Sequence, residues 1–189
     1  MAAIPYVPDE LSDPAGIVAA IRERRGGQLL NLDRMLLHSP PFARGWNALL
    51  RATRTELSLP ARLCELCICA VGILNGAEYE VQQHTGPLLV AGGTAAALQA
   101  LRTLDLSALG NTSRESAAAT REDDPFTPAE RAALRLTHAM SRDIRVPAAL
   151  LERVRELLGG ERPLVELIGL IATYNMVSRF LIALRVDLE

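Results

Sequence analysis

The feature that most constrains this chain is the reversal at Asn75-Gly76. Before it, Pro60 to Leu74 carries apolar residues at amphipathic helical spacing, and a second helical pattern starts at Ala77. Two helices joined by so tight a turn are expected to pack antiparallel. On the first, Arg62, Glu65, Cys69 and Gly72 share one face; on the second, Ala77, Glu80 and His84 fall at i, i+3 and i+7. Gly72 lacks a Cβ and lets the facing backbone come close, where a helix-interior Gly otherwise costs about 1 kcal/mol against Ala. The spacing therefore predicts two carboxylates and one histidine facing each other across a helix pair.

The rest of the chain reads as helices with proline and glycine punctuation and no hairpin signal. Asp13-Pro14 and Thr127-Pro128 have the form of an N-cap followed by an N1 proline, and Thr127 with Glu130 forms a capping box. Residues 105–124, rich in Ser, Ala, Thr and charge, separate two helical halves and read as a flexible connector before they read as a lid. The expectation is one all-α domain over residues 1–189, a length that buries roughly 70% of the surface an unfolded chain exposes.

Composition removes several classes of function. All twenty basic residues are arginine, so chemistry through a lysine Schiff base, and a phosphate-binding P-loop, are excluded. A net charge of -2 with both signs interspersed gives no footprint for nucleic acid. The apolar run Leu164 to Leu184 is interrupted by Glu166, Asn175 and Arg179, which marks a core or subunit-interface helix and no membrane span. Without a basic start and apolar run at Met1 to Glu10, a cytoplasmic protein is expected.

Each candidate side chain has a plain structural explanation to weigh. Glu65 lies in the apolar segment "RLCELCICAVGIL", where an unpaired carboxylate is costly to bury; an ion pair with Arg62 three residues back is the simplest alternative to a functional role. Cys64 and Cys67 form a Cys-x-x-Cys, but inside a helix and beside Glu65, away from the helix N-terminus that favours thiolate, so with Cys69 they read as small core residues. No metal site is expected, because no second cysteine pair or close histidine pair exists. His84, with Glu80 at i-4 and Glu65 placed opposite, is the strongest candidate; His38 suits a helix C-terminus and His138 a packed helix position.

The register Glu65, Ala77, Tyr79-Glu80 and His84 resembles the carboxymuconolactone decarboxylase and alkyl hydroperoxidase D-like superfamily. "LLHSPPFARGWNALL" before it, "HTGPLLVAGG" after it and "LIGLIATYNMVSRFLIAL" near the end resemble its long, two-part members. The resemblance implies a multi-helix AhpD-like bundle and a homo-oligomer. Hydroperoxidase-type members are similar but carry a Cys-x-x-Cys at the positions of Ala77 and Glu80, so the chain resembles the decarboxylase branch. The function expected is a cofactor-free acid–base lyase acting on a small organic acid or lactone. His84 moves the proton, Glu80 or Glu65 sets its tautomer, and Arg62 anchors a substrate carboxylate. Two other readings stay open, an antioxidant thiol enzyme and a non-catalytic helical ligand-binding or assembly protein.

If the thiols are core residues, replacing Cys64, Cys67 and Cys69 together by Ala or Ser keeps enzymatic activity within about an order of magnitude and costs about 1 to 3 kcal/mol of stability. Lost activity in a triple variant that still folds returns the chain to the thiol enzymes.

Overall fold

A computed structural model describes residues 1–12, 14–103 and 124–189. Asp13 and the segment expected as a flexible connector, apart from Asp124, lie outside the described residues. Among those described, regular structure is helical throughout, as expected. The helices are α1 (Ala15–Arg25), α2 (Asn31–Leu36), α3 (Pro40–Thr55), α4 (Ala61–Asn75), α5 (Glu78–Val90), α6 (Ala95–Thr103), α7 (Pro128–Arg142), α8 (Ala148–Leu158) and α9 (Glu161–Leu184). Contacts divide the chain into two compact units, Met1–Leu57 with Arg179–Glu189, and Ser58–Ser178.

In the first unit, α3 packs against α1 and α2. Asp33 is fully buried and ion-paired to Arg24 at 3.3 Å and Arg25 at 2.9 Å, which offsets the cost of burying its charge. Phe42, Trp46 and Phe180 form an aromatic cluster with ring centroids 5.1 to 6.0 Å apart.

The second unit is built around α4, which packs against α5, α6 and α7, while α8 lies on α7. Every residue from Glu65 to Gly72 is buried, so this helix is covered all round. The one-sided amphipathic pattern expected for it gives way to a central core helix, because neighbours surround its axis. It ends where the sequence indicates: Gly76 adopts φ 72°, and the N–H groups of Gly76 and Ala77 donate to the carbonyls of Ile73 and Gly72. The capping box at α7 also forms, with Glu130 N–H donating to Thr127 Oγ1 at 3.2 Å and Thr127 N–H to Glu130 Oε2 at 2.8 Å. Pro14, however, is itself the residue before α1 and not its first helical position.

Helix α9 is long and apolar enough to cross a membrane by length and composition alone, yet 50% of that window is buried inside the protein. Its polar interruptions are used. Asn75 donates to Asn175 Oδ1 at 3.1 Å, and Asn175 Nδ2 donates to Ser141 Oγ at 2.9 Å, tying the ends of α4 and α7 to α9.

Helices α4 and α5 approach closely at Gly72. A Cβ there meets Val81 Cγ2 at 2.9 Å, with Ala77 O and Glu80 Cβ each at 3.4 Å. Gly72→Ala therefore destabilises the fold by about 1–3 kcal/mol through overpacking, against a helix-propensity gain of about 1 kcal/mol. Urea unfolding measures this; an alanine variant more stable than wild type contradicts the close packing.

Candidate active site

Helices α4 and α5 bring Glu65 and His84 into contact. Glu65 Oε2 lies 2.7 Å from His84 Nδ1, with both residues buried. A contact this short holds a proton, and an ionised carboxylate accepts it from Nδ1–H, which leaves Nε2 as the nitrogen that gains or loses a proton. The imidazole also meets the edge of Tyr174 from α9, with ring centroids 5.0 Å apart and planes at 90°. Orientation is thus fixed from two sides, by a hydrogen bond and by an aromatic wall.

Glu80 sits one turn before His84 and is 2% exposed. Ser178 Oγ donates to its Oε2 at 3.0 Å, and its Oε1 has no hydrogen-bond partner among the described residues. Burial pushes this carboxyl up to about 8, a rise that the Ser178 hydrogen bond partly opposes. The two glutamates consequently have different surroundings: one faces an imidazole, the other a single neutral hydroxyl.

Arg62 is not part of this group. Its Nε donates to Glu130 Oε1 at 2.7 Å, and its terminal nitrogens donate to the Gly92 carbonyl at 2.5 Å and the Pro125 carbonyl at 2.8 Å. The simple alternative for Glu65, an ion pair with Arg62, is therefore corrected: Arg62 ties the start of α4 to the end of α5 and the start of α7. Of the residues expected at the site, Glu65, His84 and Glu80 line one helix pair, and Arg62 belongs to this tether.

The thiols behave as core residues. Cys67 and Cys69 are buried and Cys64 is half-buried. Burial pushes the Cys67 thiol up to about 12, and burial together with the nearby carboxylates of Glu65 and Glu80 does the same to Cys69. Among the described residues no group of three or more His, Cys, Asp or Glu side chains is arranged to hold a metal ion. His38 Nε2 is 2.8 Å from the carbonyl of Pro5, and His138 is half-buried in α7.

Ser178 and Tyr174 are contributions the sequence reading did not single out. The available signal was a pair of hydrogen-bonding side chains one turn apart on α9, the same spacing as Glu80 and His84 on α5.

The model of the carboxymuconolactone decarboxylase family matches residues 40–122. No curated protein matches the sequence. Similar solved structures include an uncharacterized peroxidase-related protein with an alkylhydroperoxidase AhpD core from Ralstonia eutropha, at 18% identity and TM-score 0.77, covering 100% of this chain and 92% of that one. A peroxidase-related protein from a Silicibacter species has 15% identity and TM-score 0.75, over 98% of this chain and 91% of the other. The debrominase Bmp8, solved with 2,3,4-tribromopyrrole, has 18% identity and TM-score 0.74, over 100% and 94%. The family model covers less than half of the chain, and the solved structures, at 15 to 18% identity, show a shared fold.

The environment of Glu80 has a measurable consequence for folding. Its carboxyl titrates near 4.5 when exposed and at about 8 in the native chain, so between those values the folded state binds the extra proton and stability falls as pH rises. Glu80→Gln removes this slope. Urea unfolding from pH 4 to 9 is expected to show wild type losing stability relative to Glu80→Gln across that window; parallel curves contradict it.

Proposed function

We propose that this chain is a cofactor-free acid–base lyase of the decarboxylase-like branch, acting on a small organic acid or lactone that carries a conjugated carbonyl. The observation behind this reading is the buried 2.7 Å contact between Glu65 and His84. A carboxylate on Nδ1 holds the imidazole in one tautomer and one orientation, which is what a general acid or base needs. The choice of branch is supported by Ala77 and Glu80 standing where hydroperoxidase-type members carry thiols, and by the unreactive state of Cys67 and Cys69. Peroxidase-related proteins and a debrominase share the fold, so the choice among chemistries rests on side chains.

In the reaction, the bond between the substrate's carboxylate and its carbon breaks and carbon dioxide leaves. The electron pair passes into the conjugated carbonyl and gives an enolate. The imidazolium form of His84 delivers its Nε2 proton to carbon and becomes neutral, and solvent restores that proton. A carboxylate and a proton thus become carbon dioxide and a C–H bond. Throughout, Glu65 keeps Nδ1 protonated.

The test is loss of ultraviolet absorbance from a panel of conjugated lactones and acids. His84→Gln, whose amide can still donate to Glu65, is expected to fold and to lower turnover roughly 100- to 10,000-fold. Glu65→Gln is expected to lower it less, because a neutral amide oxygen still accepts Nδ1–H. Unchanged turnover in folded variants places the chemistry elsewhere, and wild type inert toward the whole panel favours a non-catalytic binding protein.

A further inference from the structure

The proton relay just described uses Glu65 and His84 and leaves Glu80 without a task, although it is among the most completely buried large side chains in the protein. Its surroundings are unusual for a carboxylate. Among the described residues no hydrogen bond or ion pair joins it to a cation, and its one hydrogen-bond partner is the neutral hydroxyl of Ser178 on Oε2. An ionised carboxylate offers about four lone-pair positions, and burying one with a single neutral donor carries a large desolvation cost. As the neutral acid, the same side chain has one acceptor oxygen and one hydroxyl. Ser178 occupies the acceptor role at Oε2, so the proton belongs on Oε1, the oxygen without a partner.

The position of this hydroxyl repeats the geometry of the dyad. Glu80 and His84 lie one turn apart on α5, and Ser178 and Tyr174 lie one turn apart on α9, with Ser178 meeting Glu80 and Tyr174 meeting His84. Both α5 side chains therefore face α9 at consecutive turns. Across from them, Gly72 of α4 lets Glu80 Cβ approach, and Cys69 lies in electrostatic reach of both glutamates. Ser178 of α9 is thus the hydrogen-bond partner of Glu80, His84 follows it by one turn on its own helix, and Cys69 of α4 feels Glu65, Glu80 and the cation Arg102 of α6.

We propose that Glu80 is a neutral carboxylic acid whose Oε1 hydroxyl donates a hydrogen bond to the developing oxyanion of a carbonyl-bearing substrate. Ser178 is the positioning residue that fixes which oxygen carries the proton. The role rests on the acid–base reading above and completes it: His84 handles the proton at carbon, while Glu80 stabilises the enolate oxygen without giving up its own proton. The rise of its titration to about 8 agrees with this state at neutral pH. A neutral acid also adds no negative charge beside a substrate that loses a carboxylate, whereas a second ionised glutamate repels the anion that must enter.

Infrared difference spectroscopy on the full chain tests the protonation state without any substrate. Wild type minus Glu80→Gln at pH 7 is expected to show the carbonyl stretch of a protonated carboxylic acid, fading as pH rises toward 10. In Ser178→Ala the band shifts and persists to higher pH, because a hydrogen bond that favours the ionised form is gone. A wild type without this band at pH 7, in a protein where Glu80→Gln still folds, overturns the proposal. On a turned-over conjugated lactone, Glu80→Leu is expected to lower kcat about 100- to 1,000-fold with KM little changed, and Glu80→Gln, which keeps a donor, to stay within about tenfold of wild type. Leucine as active as glutamate overturns the donor role. The infrared result stands whatever His84→Gln does to turnover, so failure of the dyad and failure of this assignment are read separately.

Discussion

The close approach of α4 and α5 at Gly72 is the constraint on which the site depends. With Val81 Cγ2 2.9 Å from where a Cβ stands in any other residue, the two helices meet at a separation that glycine accommodates and a larger residue opens. Glu65 lies about two turns before that point on α4, and His84 about one turn beyond Val81 on α5, so the spacing set at Gly72 carries over to the carboxylate and the imidazole. The turn at Gly76 supplies the direction. Its left-handed conformation closes α4 and starts the return within two residues, and the short connection leaves little freedom for sliding of one helix against the other.

Inside that pair, burial separates two chemically identical groups. Glu65 keeps a hydrogen-bonded partner that can carry positive charge, which offsets the cost of a buried anion; removing such a partner from a buried pair typically costs about 3–5 kcal/mol. Glu80 has, among the described residues, the hydroxyl of Ser178, and burial raises its titration. One fold thereby holds a carboxylate against an imidazole and, in the roles proposed above, a pair that moves a proton and a carboxylic acid that donates. The same burial that divides the glutamates keeps Cys67 and Cys69 as thiols, so the environment that suits acid–base chemistry is unsuited to thiolate chemistry.

Much of this was legible in the sequence, for reasons that are local. The Asn75-Gly76 turn, the glycine at 72 and the spacing of Glu65, Glu80 and His84 all lie within twenty residues, where helical geometry alone fixes which faces meet. The capping box at Thr127 is likewise local. What was not legible comes from far along the chain. Ser178 is 98 residues from Glu80, and Glu130 is 68 from Arg62, so neither partner follows from helix periodicity. Arg62 illustrates the consequence: with Glu65 three residues away, local geometry suggests an ion pair, yet a distant carboxylate and two backbone carbonyls offer the guanidinium a fuller set of acceptors. The burial of α4 on all sides was hidden in the same way, since it depends on helices α6 and α7 that pack against it from elsewhere in the chain.

In the proposed role, Glu65 holds the proton of His84 on Nδ1. Nitrogen-15 NMR of the imidazole, on selectively labelled full-length protein at a pH where the ring is neutral, tests it most directly. The Nδ1–H tautomer is expected for His84, with Nε2 unprotonated and the Nδ1–H signal displaced in Glu65→Gln. An Nε2–H tautomer, or a His84 spectrum indifferent to Glu65→Gln, contradicts it.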